Sequence, residues 1–190
     1  MASAFDVARY LIRLGAENEE PDYLSQLRVQ KLLYYTQGWA LAALDHPLFH
    51  ERIEAWKKGP VVASVWPKLT AYDDRGIQPG DVGKPEGLSD EDKSFINSVW
   101  EKYKIHSAIG LMLMTHREDP WKDARAGLPA SAPSSQEIAH SALRAWFSRE
   151  ASTVVVKGLS VVDAHRAAIE LGKERLVSHE EVFASLRKSR

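Results

Sequence analysis

The chain has 190 residues, of which 44% are hydrophobic and 27% are charged, and its formal net charge is −1. This length predicts one domain with a core of its own and a short appendage, and the near-neutral charge gives no electrostatic reason to expect a nucleic-acid or membrane partner. The absence of cysteine excludes disulfides, thiolate zinc sites and cysteine nucleophiles, which is typical of a reducing cytosol.

The N-terminal stretch favours a helix rather than a signal peptide. Asp6 and Arg9 interrupt the segment that would have to be the apolar part of a signal peptide, and no run approaches the roughly 20 apolar residues of a membrane span. We therefore expect a cytoplasmic protein. Apolar residues recur with helical spacing from Phe5 and end at Gly15, which predicts a first helix that packs inward.

A second, longer helix is predicted over residues 25–44, with Ser25 as its N-cap. Its apolar residues surround much of the circumference, so we expect a central helix that is buried on more than one side. The polar surface that remains on this helix is expected at Arg28, Gln30, Lys31 and Gln37.

The stretch IEAWKKGPVV follows and fits neither the helical nor the strand period cleanly. We predict a short extended or hairpin segment near residues 49–59. Within it, Ile53 and Trp56 are interpreted as core anchors and Gly59 as a tight point of the backbone.

Two prolines shape the next segment. Pro60 is predicted to take the first position of a helix, where its missing N–H would have no partner anyway. Pro67 would break or kink that helix, so the helix is either bent there or begins later, near Ser64. Residues 73–90 are rich in Gly, Pro and Asp and predict an exposed loop.

Helix signals return after the loop. Ser89 and Asp92 have the spacing of a capping box, which predicts a helix from this point. A shorter apolar helix is predicted over residues 107–115, and Pro120 is expected to begin one more helical turn. Taken with the earlier elements, the pattern predicts a mainly α fold.

The predicted domain ends with a linker and a last helix. Residues 127–134 have the composition of a linker, and Ser134 with Glu137 has the spacing of a capping box for a helix over residues 135–149. We therefore place the helical domain at residues 1–150.

Residues 151–190 differ in composition and are interpreted as a tail that completes its structure on a partner. Gly172 separates two short amphipathic pieces, and neither is apolar enough to fold alone. Their apolar faces are predicted at Ala164, Ala168 and Leu171, and at Val182, Phe183 and Leu186.

The residues that could perform chemistry do not form a recognisable set. His46 and His50 have a metal-ligand spacing, but Pro47 between them disrupts the helix that would align their rings. His116 is followed by acids and is interpreted as a histidine at a helix end rather than a general base. Gly59 alone, beside two lysines, cannot form a phosphate-binding nest. We predict no metal, no cofactor and no enzymatic activity.

Three blocks of sequence are distinctive, namely LRVQKLLYYTQGW, FHERIEAWKKGPVV and SAIGLMLMTHREDPWKDAR. In this order, over most of residues 1–126, they resemble the Panacea domain, the SocA-like antitoxin family. The positions that carry the resemblance are Lys31, Leu32, Tyr34, Tyr35, Gln37, Gly38 and Trp39 in the first block, Ile53, Ala55, Trp56, Lys58, Gly59, Pro60 and Val61 in the second, and Thr115, His116, Pro120 and Trp121 in the third.

The resemblance implies a mainly helical antitoxin of a bacterial type II toxin–antitoxin system, which neutralises a cognate protein toxin by direct binding. In one branch of the family it implies a proteolytic adaptor that delivers the toxin to the ClpXP protease, and the resemblance does not choose between the two. Nucleic-acid binding is expected only if the protein represses its own operon. Lys57 and Lys58 are predicted to lie on the face that meets the partner.

The tail is similar to the C-terminal segments of small antitoxins of the RelB, ParD and Phd kinds. The matching positions are Gly172, Leu176, Val177, His179, Glu180, Val182, Phe183 and Leu186. This similarity implies a toxin-binding role for the tail. A hydrolase built around His116 and nearby acids is a third hypothesis, from a different class of protein.

Overall fold

The structure, a computed structural model, describes residues 2–72 and 75–155 of the chain. The mainly α fold predicted from the sequence is confirmed, because helices dominate the described residues and the strands form a single hairpin there. The elements are α1 (Ala4–Ala16), α2 (Gln26–Ala43), β1 (Ile53–Trp56), β2 (Gly59–Val62), α3 (Trp66–Leu69) with a 3₁₀ turn (Thr70–Tyr72), α4 (Pro79–Val82), α5 (Asp90–Tyr103), α6 (Ala108–Thr115), α7 (Asp119–Ala124) and α8 (His140–Val155).

Local capping signals set the helix starts. Ser3 caps α1 in a capping box with Asp6, and Ser25 accepts the backbone N–H of Arg28 at the start of α2. Ser89 and Asp92 form the predicted capping box of α5. Each cap satisfies backbone N–H groups that the first helical turn leaves without a partner, which is why the starts of α2 and α5 could be located from the sequence.

Helix α2 is the centre of the domain, with α1, α5, α6, α8 and β2 packed around it. The prediction that its polar residues form a surface is wrong. Arg28 is 8% exposed, and three further polar residues, Gln30, Lys31 and Gln37, are fully buried. They are buried because each is hydrogen-bonded to a backbone group of another segment, and such bonds offset the loss of water.

The extended segment is an antiparallel hairpin in which Ile53 pairs with Val62 and Trp56 with Gly59. Pro60 does not begin a helix, because it lies in β2 opposite Ala55. The N–H and C=O of Ala55 both bond away from β2, so the position facing it needs no N–H for the ladder and tolerates proline. Helix α3 begins at Trp66, and Pro67 lies in its first turn.

The last helix also differs from its prediction over residues 135–149. Gln136 and Ile138 pair with β1 instead of starting a helix: the backbone N–H of Ala55 donates to the carbonyl of Gln136 at 2.8 Å, and that of Ile138 to Ile53 at 2.8 Å. The backbone groups at the open edge of β1 need hydrogen-bond partners. Pairing with this edge is therefore favoured over the helix start that Ser134 and Glu137 predict. Helix α8 begins at His140 and continues to Val155, beyond the predicted domain end at residue 150.

The predicted loop between α3 and α5 contains the short helix α4. The predicted tail contacts at Ala164, Ala168, Leu171, Leu176, Val177, His179, Val182, Phe183 and Leu186 lie outside the described residues. Within the part of the chain that the structure describes, no helix has both the length and the apolar character needed to cross a membrane.

Candidate functional site

Two residues of α2 complete the outer edge of β2. Lys31 Nζ donates to the carbonyl oxygen of Pro60 at 2.7 Å, and the backbone N–H of Val62 donates to Gln30 Oε1 at 2.8 Å. Both side chains are fully buried. Buried backbone groups need partners, so α2 acts in place of a third strand and fixes the hairpin against the domain.

Gly59 lets the lysine reach this position. Its φ is +92°, in the region that favours glycine, and an added Cβ would lie 2.7 Å from Lys31 Cε and 2.8 Å from Thr115 Oγ1. The hairpin therefore crosses α2 and α6 at a point where no side chain fits. Lys57 and Lys58, the two turn residues before it, are exposed to solvent.

His116 follows α6 and lies beside the same crossing. Its ring stacks on Trp121, with centroids 4.1 Å apart and planes at 16°. Burial lowers the pKa of His116, the charges of Lys31 and Arg125 lower it further, and a hydrogen bond with the backbone of Lys57 opposes these effects. The ring is thus held by stacking and by the hairpin backbone among cations, which is the arrangement of a structural histidine.

Arg125 and Trp121 of the α7 region hold β1 from the other side. Arg125 is 1% exposed and Nη1 donates to the carbonyl of Ala55 at 2.9 Å, while Trp121 Nε1 donates to the carbonyl of Trp56 at 2.9 Å. Pro120 is buried in the first turn of α7 and helps to set the direction of that helix. Trp56 itself is half-buried against Trp66.

Further along α2, Gln37 fixes the segment before the hairpin. Its Nε2 donates to the carbonyl of Phe49 at 2.7 Å, and its Oε1 accepts the backbone N–H of Leu48 at 3.0 Å. Gly38 is the contact point with α8, because an added Cβ would lie 2.6 Å from Phe147 Cζ and even closer to two other ring atoms. These residues therefore position segments of the fold rather than a reactive group.

A buried carboxylate contacts the middle of α2. Glu118 accepts hydrogen bonds from the hydroxyl of Tyr34 at 2.7 Å and from that of Tyr35 at 2.9 Å. Burial raises the pKa of Glu118 to about 7, although the two hydroxyls act in the opposite direction. Burial and the nearby Glu118 charge raise the pKa of both tyrosines, which therefore remain hydrogen-bond donors.

Glu118 borders a cleft of about 200 Å³ between α5, α6 and α8. The aromatic residues of the cleft are packed on one another, with Trp39 and Phe147 centroids 5.1 Å apart and Trp39 Nε1 donating to the Tyr103 hydroxyl at 2.9 Å. The full lining is Trp39, Lys102, Tyr103, His106, Met114, Glu118, Trp146, Phe147 and Glu150.

Sequence analysis overlooked several of these residues. Glu118 and Arg125 lie within the third block, and only their position near His116 and Trp121 could have drawn attention to them. Tyr103 and Phe147 lie far along the chain from their α2 partners, so no local spacing links them. Among the described residues, no group of three or more potential metal ligands is present.

Residues 29–122 match the family model of the antitoxin SocA-like Panacea domain. These residues carry a SocA-like Panacea domain. No curated protein and no solved structure matches the chain significantly. The Panacea match begins in α2 and ends in α7, so it includes the hairpin together with Gln30, Lys31 and Trp121, whereas Arg125 lies just beyond it.

The buried lysine of the Panacea domain predicts a pH-dependent stability. Burial lowers the pKa of Lys31 to about 7, against 10.5 for an ordinary lysine. Between these values the unfolded chain binds more protons than the folded one, so stability rises with pH in that window. From about pH 7 to about pH 9 the free energy of unfolding should increase by about 2–3 kcal/mol from this residue.

Urea unfolding of the wild type and of Lys31→Met at both pH values measures this effect. The variant should lack the Lys31 part of the increase, while contributions from other groups remain in both proteins. Lys58→Met is a matched control at an exposed position and should keep the full increase. Identical pH dependences for wild type and Lys31→Met would show that folding does not change the pKa of the Lys31 amine.

Proposed function

We propose that this protein is a cytoplasmic antitoxin that neutralises a cognate protein toxin by direct binding. The match of residues 29–122 to the SocA-like antitoxin family carries the proposal. The exposed hairpin turn of Lys57 and Lys58 supports it, because α2 and the α7 region hold this turn rigidly from two sides and a pre-organised surface loses little entropy on binding.

The second candidate is a proteolytic adaptor that delivers the toxin to ClpXP. An adaptor needs separate surfaces for protease and cargo. The hairpin turn and the α5–α6–α8 cleft are built from different elements, so they could serve as the two surfaces. This observation supports the adaptor as the second candidate.

We further propose that the protein is not an enzyme. A hydrolase using His116 would need a general base close to a nucleophile. The lowered pKa of His116 would suit a base, but its ring lies flat on Trp121 and bonds to the backbone of Lys57. This environment supports a structural role for the residue.

Co-expression with the product of the adjacent gene tests the antitoxin proposal. The full chain should restore growth that the toxin alone inhibits, and residues 151–190 are proposed to contribute to binding. A truncated chain should end after Val155, because ending at Glu150 would cut α8. The truncated chain is expected to restore growth less well than the full chain. Equal rescue would show that the deleted residues are not needed for neutralisation.

The same assay separates the remaining possibilities. Lys57→Glu with Lys58→Glu should weaken rescue if the hairpin turn contacts the toxin, while Lys68→Glu, at another exposed lysine, should not. Rescue that disappears in cells without ClpXP would favour the adaptor over direct neutralisation. Failure of the full chain to bind or rescue would reject both proposals.

A further inference from the structure

The α5–α6–α8 cleft has the composition of a receptor for an organic cation. Ring faces carry negative charge density and attract ammonium or guanidinium groups, and carboxylates add charge attraction. The space of about 200 Å³ suits one long side chain rather than a drug-sized ligand, which needs about 300 Å³ or more. The relevant lining is Trp39, Tyr103, Trp146, Phe147, Glu118 and Glu150.

A cation of the chain itself already lies in the cleft. Lys102 Nζ is 4.2 Å from the ring centroid of Trp39 and 5.8 Å from that of Tyr103. The Glu150 charge favours the ammonium, whereas burial disfavours it. Lys102 is partly exposed at the end of a flexible stem, so it can leave the rings without disturbing α5.

An apolar stripe borders this cleft. Ile109 and Leu113 are 56% and 48% exposed, and their spacing of four residues places them along one side of α6. Ile105, which is 79% exposed, lies in the turn just before that helix. His106 and Met114, which line the cleft, follow Ile105 and Leu113 directly in the chain. Several exposed apolar side chains beside a pocket are typical of a protein-binding surface.

We propose that the cleft and the apolar stripe form one docking surface for a protein segment that inserts an arginine or lysine side chain among the rings. The incoming cation displaces Lys102, and apolar residues of the same segment lie along α6. That the segment belongs to the toxin rests on the proposed function.

The exchange of one cation for another explains why a basic segment fits better than a neutral one. Departure of Lys102 leaves the charge of Glu150 without its nearby ammonium, and the incoming cation restores that balance. Each Glu118 oxygen accepts one tyrosine hydroxyl and retains a second lone pair for a new donor. A guanidinium can stack on these rings, as Arg149 does on Trp146 at 4.6 Å.

NMR titration of the full chain with a short peptide, acetyl-Leu-Arg-Leu-amide, tests the cation site directly. The indole N–H signals of Trp39 and Trp146 should shift and saturate. The same peptide with citrulline in place of arginine keeps the shape without the charge and should bind about tenfold more weakly. Lack of shifts, or equal affinity for both peptides, would overturn the proposal.

Two variants test the exchange. Lys102→Met removes the resident cation and keeps most of the stem, so the arginine peptide should bind several-fold more tightly, by roughly 3- to 10-fold. Glu150→Gln removes a charge that attracts the cation and should weaken binding by a similar factor. An unchanged affinity in Lys102→Met would show that the lysine does not compete for the site.

Binding of the full chain to the adjacent gene's product tests the apolar stripe. Ile109→Asp should weaken this affinity at least about tenfold, whereas Leu128→Asp, at a leucine that is 45% exposed outside α6, should not. Normal binding by a folded Ile109→Asp would overturn the docking surface and leave the antitoxin proposal intact. If the wild type does not bind this product, the antitoxin proposal fails. The peptide titration then still tests whether the cleft binds a cationic side chain.

Discussion

Replacing Arg125 with Ala should lower the free energy of unfolding by about 3–5 kcal/mol. The buried guanidinium donates to three backbone carbonyls, at 2.9 Å, 2.7 Å and 2.7 Å, and the acceptors are Ala55, Pro129 and Ala132. Truncation leaves the buried carbonyl of Ala55 without that donor, and a buried polar group without a partner costs about 1–3 kcal/mol. It also releases the loop at Pro129 and Ala132, whose carbonyls lie nearer to solvent. It also opens a cavity beside Trp121, whose ring centroid is 4.8 Å from Arg125 Cζ.

Urea unfolding at fixed pH measures this loss. Arg117→Ala removes an exposed arginine from the same part of the chain and should change the free energy of unfolding by no more than about 0.5 kcal/mol. Arg125→Lys keeps the charge but cannot reach three carbonyls in a fork, so its stability should lie between wild type and Arg125→Ala. A loss below about 1 kcal/mol in Arg125→Ala would show that the hairpin does not depend on this residue.

The parts of the fold that could be predicted from the sequence depend on neighbours in the chain. The N-cap at Ser25 and the capping box at Ser89 use groups within three residues of one another. The resemblance to the Panacea family was also recoverable, since it is carried by short blocks of sequence. Such signals locate helix starts and the Panacea domain without any knowledge of packing.

Long-range pairing explains the errors. Lys31 was expected on the surface because a charged residue is costly to bury, yet Pro60, 29 residues away, supplies its hydrogen-bond acceptor. The capping signal at Ser134 was overridden because the edge of β1 needed partners. In both cases a backbone group distant in the chain decides where a residue lies, and hydrophobic periodicity carries no information about it.

The candidate surface was missed for the same reason. Trp39 and Phe147 are separated by more than a hundred residues in the chain, but their rings form one wall of the cleft. Sequence analysis expected α2 to be buried on more than one side but could not show where its aromatic residues leave a gap. A gap depends on how three helices meet, whereas the exposed hairpin turn of Lys57 and Lys58 follows from the polar character of those two residues.

The packing of α2 against α8 predicts a second large effect, for Gly38→Ala. Alanine normally stabilises a helix interior by about 1 kcal/mol relative to glycine. Here the new Cβ would overlap the ring of Phe147, which is fixed by Tyr34, Tyr35 and Trp39 at centroid distances of 5.7, 6.1 and 5.1 Å. Overpacking should therefore dominate and lower the free energy of unfolding by about 2–3 kcal/mol.

A double-mutant cycle with Phe147→Leu separates the clash from other effects of the substitution. The smaller leucine should cost stability alone, but it gives the new methyl group room, so Gly38→Ala should be much less harmful in that background. Gly110→Ala in α6 is the matched control, because its Cβ would meet nothing closer than 3.4 Å and stability should stay equal or rise slightly. Additive losses in the cycle would mean that α2 and α8 do not meet through Gly38 and Phe147, and the α8 wall of the cleft would then have to be placed differently.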